Sequence, residues 1–252
     1  MVANTNMISL NGISMHLPLR RARLRRRLIS GSGNSGGEII YDGNSPFVAA
    51  LQNISLTINR GDCVALIGHN GSGKTTLLRT LGGIYEPCMG TLAIRGKLAT
   101  MFSSSLSLSD METGLQNIYF SAILHGMKSA SIEARLSDVI EICGLGAYIN
   151  VPVSMYSDGM RARLGLAMGI VGQPEILLVD EAMTAIDTHF MISVREKTNL
   201  FGGENTVTVI ATHAQEIQDL VCNKAIWLDH GYLKMSGDYD VVSKAYRDYS
   251  HI

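Results

Sequence analysis

Residues 68–75 read Gly-His-Asn-Gly-Ser-Gly-Lys-Thr, and no other stretch of the chain limits its fold as strongly. The pattern G-x-x-x-x-G-K-[ST] works only between a strand and a helix. Both neighbours are present in the sequence. Cys63 to Ile67 is a short apolar run that suits a buried strand, and Thr75 to Leu81 has helical character. Glycines let successive backbone amides turn inward around an anion, and a helix N-terminus adds the positive end of its dipole. Gly68, His69, Asn70, Gly71, Ser72 and Gly73 are therefore expected to wrap phosphate oxygens. Lys74, Thr75 and Thr76 open the helix: Lys74 would reach the β- and γ-phosphates, and the Thr75 hydroxyl would ligate Mg²⁺.

A second motif fits the first. Ile176-Leu177-Leu178-Val179 is an apolar strand that delivers Asp180 and Glu181 at its C-terminal end, where open α/β sheets bind ligands. Asp180 is expected to contact Mg²⁺ directly or through water, and Glu181 to orient and polarise an attacking water. Together the two motifs define only a P-loop NTPase that uses Mg²⁺.

The 252 residues suffice for one large domain with its own core. Charged residues make up 17% and mean hydropathy is +0.16, yet no run approaches the ~18–20 apolar residues of a membrane span. Cys63, Cys88, Cys143 and Cys222 lack metal or redox spacing, which suits a reducing compartment. The net charge of −1 hides an asymmetry: Arg20, Arg21, Arg23, Arg25, Arg26 and Arg27 hold six of the 21 basic residues. Ser30 to Gly37 then reads as a flexible Gly/Ser loop.

Coarse patterning gives a mainly parallel α/β core with an antiparallel addition and an inserted helical subdomain. Met7 to Leu10 and Ile13 to Leu17 suggest a hairpin about Asn11-Gly12, and Thr91 to Ile94 with Leu98 to Phe102 suggest another about Arg95-Gly96-Lys97. Leu51 to Ile58, Val207 to Ala211 and Ala225 to Leu228 read as strands, and His213 to Cys222 as a helix. Ile132, Leu136, Val139, Ile140 and Cys143 recur at helical spacing, inside a helical stretch of about 103–172.

Tyr156-Ser157-Asp158-Gly159-Met160 opens a helix ahead of the acidic pair, and resembles the signature of ATP-binding-cassette proteins, usually L-S-G-G-Q. Thr184-Ala185-Ile186-Asp187 lies where that family carries its S-A-L-D loop, and His213 follows a strand where the family carries its switch histidine. The resemblance runs from about Leu51 to Gly237. It implies a head-to-tail homodimer in which Ser157 and Gly159 of one copy face ATP on the phosphate loop of the other, with His213 at the γ-phosphate. There are departures. Ala182 replaces the proline usual after the glutamate. Met101-Phe102-Ser103-Ser104-Ser105 lacks the family's glutamine, leaving Ser103 as one substitute. Asp158 replaces a glycine and is expected to turn outward.

Within the family, Lys97-Leu98-Ala99, Thr113-Gly114-Leu115-Gln116-Asn117-Ile118 and the Y-S-D-G-M signature look like ATPases of bacterial polysaccharide exporters. These serve O-antigen, capsule and teichoic-acid chains. The basic insertion of about 17–47 ahead of Ala50-Leu51-Gln52-Asn53-Ile54-Ser55 resembles theirs as well. The resemblance implies one nucleotide-binding domain over 1–252, without the C-terminal carbohydrate-binding domain of some members. It also implies a polytopic permease dimer as partner and a peripheral place on the cytoplasmic face of the bacterial inner membrane. Arg20 to Arg27 would meet anionic lipid or a lipid-linked glycan, rather than nucleic acid. His16, Tyr41 and Phe47 are the candidates for stacking on adenine, with Tyr41 favoured. The rival assignments are another ABC exporter, for lipid or small solutes, and a soluble nucleic-acid-associated ABC ATPase.

Overall fold

A computed structural model describes residues 6–18, 38–42, 45–102, 108–181 and 186–250. The arginines at 20–27, Ser103, Ala182, Thr184 and Ala185 lie outside the described residues, and of Tyr41 only the backbone is described. The chain divides into two compact units.

The first unit comprises residues 1–59, 65–95 and 223–252. Its antiparallel sheet has the order β2-β3-β1-β5, built from β1 (Asn6–Pro18), β2 (Glu38–Asp42), β3 (Ser45–Asn59) and β5 (Met89–Ile94). The expected hairpin at Asn11-Gly12 is absent: β1 is one strand that pairs with β3 on both sides of that dipeptide. The register shifts between Leu10 and Ile13, so the Gly12 turn signal marks a bulge instead. Ile8, Leu10, Ile13 and Met15 are all buried, and one continuous strand keeps them in one core. β4 (Cys63–Ile67) is buried along its length and leads into the phosphate loop and α1 (Lys74–Leu81). β9 (Lys224–Asp229) and β10 (Tyr232–Asp238) form a hairpin, on which α7 (Tyr239–Ser250) packs with Tyr239 and Val242 buried.

The second unit comprises residues 60–64 and 96–222. Its strands run in the order β8-β7-β6, from β6 (Leu98–Met101), β7 (Ile176–Val179) and β8 (Val207–Ile210), and both pairings are parallel. The second expected hairpin is therefore also absent: β5 pairs with β1, while β6 pairs with β7. Leu177, Val179 and Ile210 pack with Phe190, Met191 and Val194 of α5 (Thr188–Lys197) and with Ile217 and Val221 of α6 (Gln215–Val221). A separate apolar cluster joins α2 (Gly114–Leu124), α3 (Ser129–Cys143) and α4 (Asp158–Val171) through Ile118, Ile132, Val139 and Leu164. It lies within the helical stretch expected from the sequence. Thr113 starts α2 with a reciprocal capping box to Gln116. Burial pushes the Cys143 thiol up to about 12, so Cys143 is inert core.

Candidate functional site

In the first unit, the loop between β4 and α1 curls around the Lys74 ammonium. Lys74 Nζ donates to the Gly68 carbonyl at 2.6 Å and to the His69 carbonyl at 3.0 Å, and the residue is buried. Gly73 caps α1 with φ +108°, and its carbonyl accepts from Leu77 N at 2.8 Å. A Cβ there would stand 2.8 Å from the Ala50 carbonyl oxygen, so both the backbone angle and the close approach demand glycine. Ser72 N bonds the His69 carbonyl, and the Ser72 carbonyl accepts from Gly231 N at 3.0 Å. The Ser72 hydroxyl is buried and has no hydrogen-bond partner among the described residues. Thr75 and Thr76 are half-buried at the helix start.

Two adenine candidates turn out to face one another. The rings of His16 and Phe47 stack, with centroids 4.6 Å apart and planes 24° from parallel. The backbone of Tyr41 pairs with Pro46 across β2 and β3.

In the second unit, β7 is followed by Asp180, which is 5% exposed, with its amide bonded to the Met101 carbonyl. Asp180 Oδ1 is buried without a partner among the described residues. An orphaned buried carboxylate oxygen is costly unless a cation satisfies it, so the residue fits the Mg²⁺ role expected of it. Glu181 and His213, 32 positions apart in sequence, are brought together: Glu181 Oε1 lies 3.3 Å from His213 Nε2. The turn that carries His213 is fixed by buried Thr212, whose hydroxyl accepts from Ala214 N and whose carbonyl accepts from Gln218 Nε2.

Ser157 caps α4, its hydroxyl accepting from Met160 N at 3.3 Å. Asp158 is exposed in the first turn, where the helix dipole favours an acid, and Gly159 is half-buried beside it. Two arginines not singled out in the sequence secure this helix. Arg161 bonds Asp110 at 2.6 Å. Arg163 bonds Asp187 at 2.5 Å and lies over the Phe190 ring. The second contact ties the signature helix to the loop ending at Asp187. Helical spacing puts Arg163 on the same α4 face as the buried Leu166, Ala167 and Ile170, and nothing local names its partner.

Asp187 also caps α5, accepting from Phe190 N at 2.8 Å. That amide first, and then Arg163, hold its carboxyl below the usual carboxylate range. A lowered value means stability that is present above the ordinary range and lost as pH falls through the folded value. Asp187→Ala should therefore cost about 1 kcal/mol near neutral pH. The gap from wild type should narrow under acid conditions, as read from denaturant midpoints across a pH series.

A P-loop, an acid-ended parallel strand and a capped signature helix define an ATP-binding-cassette type of α/β fold. A family model described as ABC transporter matches residues 51–184, and the chain belongs to that family. The O-antigen export system ATP-binding protein RfbE of Yersinia enterocolitica is 35% identical over 237 residues, covering 91% of this chain and 96% of its own. The teichoic acids export ATP-binding protein TagH of Listeria innocua is 34% identical over 79% of this chain, and RfbB of Myxococcus xanthus 35% identical over 81%. The chain spans 59% of the length of that TagH and 47% of that RfbB. Among solved structures, an ATP-binding cassette dimer in a post-hydrolysis state with ADP and Pi matches with a TM-score of 0.72. It is 19% identical and covers 92% of this chain and 98% of its own. That similarity confirms the α/β cassette fold.

Proposed function

We propose that this chain is the ATP-hydrolysing subunit of a transporter that exports a polysaccharide, carried on a lipid, across the cytoplasmic membrane. The observation that most supports this reading is the near full-length similarity to an O-antigen export ATP-binding protein. In this proposal residues 1–252 act as one nucleotide-binding domain, with about 103–172 as its helical subdomain and about 17–47 as its basic insertion. Gly68 to Thr76 bind the phosphates of ATP. Thr75 and Asp180 hold Mg²⁺, which supplies charge neutralisation on the phosphates. Glu181 positions and deprotonates water, and His213 holds Glu181 and contacts the γ-phosphate. Two copies pair so that Ser157 and Gly159 of one meet the nucleotide of the other. Tyr41 is the proposed adenine contact, since His16 and Phe47 each turn one face to the other.

Among the described residues no helix is long and apolar enough to cross a membrane. A membrane path therefore has to come from a permease partner in this proposal. Phe120, Ile123 and Leu124 share one face of α2 and are exposed, Leu124 at 82%. An apolar helix face of that kind suits docking to a membrane subunit. The chain then sits on the cytoplasmic face of the membrane, with Arg20 to Arg27 toward anionic headgroups or the lipid-linked glycan.

The test is cellular. A strain whose only copy carries Lys74→Ala should lose one surface glycan while the protein still co-purifies with a polytopic membrane protein. An unchanged glycan profile with a lost lipid or small solute would assign the chain to a different exporter.

A further inference from the structure

At the phosphate loop, within the first unit, three side chains from two distant parts of the sequence meet. His69 belongs to the loop, Asp229 ends β9 and His230 begins the turn to β10. His69 Nδ1 lies 2.8 Å from the Asn70 carbonyl oxygen. A carbonyl only accepts, so Nδ1 carries the proton, and a neutral His69 presents a bare lone pair at Nε2. That Nε2 faces Asp229 Oδ1 at 3.2 Å, another atom that only accepts. The same oxygen lies 2.8 Å from His230 Nδ1. Two acceptors in contact require a positive species at Nε2, either a proton or a metal ion.

The backbone turn fixes where the His230 side chain stands. His230 has φ +49° and Gly231 φ +85°, the two left-handed positions of a tight hairpin turn closed by Asp229 and Tyr232. Glycine suits its place, where a Cβ would stand 2.9 Å from the Ala50 carbonyl oxygen. Histidine is among the residues that adopt a left-handed φ more readily than most, and the turn sets its Nδ1 beside Asp229 Oδ1.

We propose that His69 Nε2, Asp229 Oδ1 and His230 Nδ1 hold a divalent transition cation of the Zn²⁺ and Co²⁺ class, separate from the Mg²⁺ proposed at Thr75 and Asp180. The three ligand atoms lie within 4.8 Å of one another. A tetrahedral ion with bonds near 2.0–2.1 Å sets its ligands about 3.3 Å apart, so the observed spacings need only small side-chain shifts. Two imidazole nitrogens and one carboxylate oxygen select this class over Mg²⁺, which takes oxygen ligands and keeps its waters. The Asn70 carbonyl on His69 Nδ1 is the usual outer partner of a metal-bound histidine. Lys234 Nζ sits 2.9 Å from Asp229 Oδ2 and 3.8 Å from the centre of the Tyr249 ring. Its charge repels a cation and tunes the site to weaker binding. A bound ion ties the second residue of the phosphate loop to the β9–β10 turn, the turn whose Gly231 amide already holds Ser72.

The test is a Co²⁺ titration of the full chain without nucleotide, at about pH 8, where free imidazole is neutral. It is independent of the export reading. One equivalent should bind, with ligand-field absorption of nitrogen and oxygen donors and no thiolate charge-transfer band. Outer partners alone cost 10–100-fold in affinity, so loss of a ligand in His230→Asn should weaken binding about 100-fold. Asparagine suits the turn, and an unchanged unfolding midpoint in metal-free buffer confirms an intact fold. Lys234→Met should tighten binding, and Cys88→Ser should leave it unchanged. Absence of saturable binding, a thiolate band, or equal affinity in His230→Asn would overturn the proposal and leave a protonated His69 as the bridge.

Discussion

Lys74→Ala should slow ATP turnover about 100- to 1,000-fold, the range seen when one fixed donor to developing charge is removed. The expectation follows from where the ammonium is held. It is buried, and it points into the curl of the loop, on the Gly68 and His69 carbonyls. Those bonds fix the amine before any nucleotide arrives, so a phosphate oxygen meets a donor whose entropy is already lost. Alanine removes the charge and the donor on the Gly68 carbonyl, worth about 1 kcal/mol in a partly wet loop, while the His69 carbonyl keeps Ser72 N. A modest fall in unfolding midpoint should accompany the loss of turnover. Lys74→Arg should separate the two effects, since a guanidinium can satisfy carbonyls but is too long and planar for the same curl. Steady-state ATPase rates and thermal unfolding of the two variants, side by side, check this. Turnover within threefold of wild type in Lys74→Ala would remove Lys74 from its assigned role.

Why some of this was legible and some was not has a physical basis. The phosphate loop, Asp180 and the strand Ile176–Val179 were readable because each depends on local chemistry: glycines at a tight curl, apolar residues along a buried parallel strand, acids at its end. The two expected hairpins failed for the opposite reason. Asn11-Gly12 and Arg95-Gly96-Lys97 have turn composition, but the pairing partners of β1, β5 and β6 lie far along the chain. Turn chemistry says where a chain can bend and not which strand it will meet. Helix α5 went unread although its signals are present. Asp187 is a good cap, and Phe190, Met191 and Val194 fall on one face. The ion pair of Arg163 with Asp187 and the cluster of His69, Asp229 and His230 had no local signal, because their members meet only through the fold. The order of the motifs alone puts Glu181 and His213 in one site, and their side chains lie 3.3 Å apart.

That pair carries the second large effect. Glu181→Gln should lower turnover by about 10²–10⁴, the contribution of a positioned general base, while ATP binding and nucleotide-dependent dimerisation persist. Glutamine keeps the size and the hydrogen bonding of the side chain but cannot take up a proton at neutral pH. The geometry adds a sharper expectation. Glu181 Oε1 and His213 Nε2 are 3.3 Å apart, and each side chain is more than half exposed. An exposed glutamate has several rotamers, and a contact to His213, itself held by the Thr212 turn, favours one of them. His213 thus acts partly through Glu181. If so, the two losses do not add: Glu181→Gln combined with His213→Ala should be no slower than the worse single variant, as for residues that work as one unit. The measurement is a double-mutant cycle on the turnover number at saturating ATP, where binding differences drop out. Full additivity would mean that His213 touches the γ-phosphate independently of the glutamate, and the 3.3 Å contact would then be a resting arrangement that ATP dissolves.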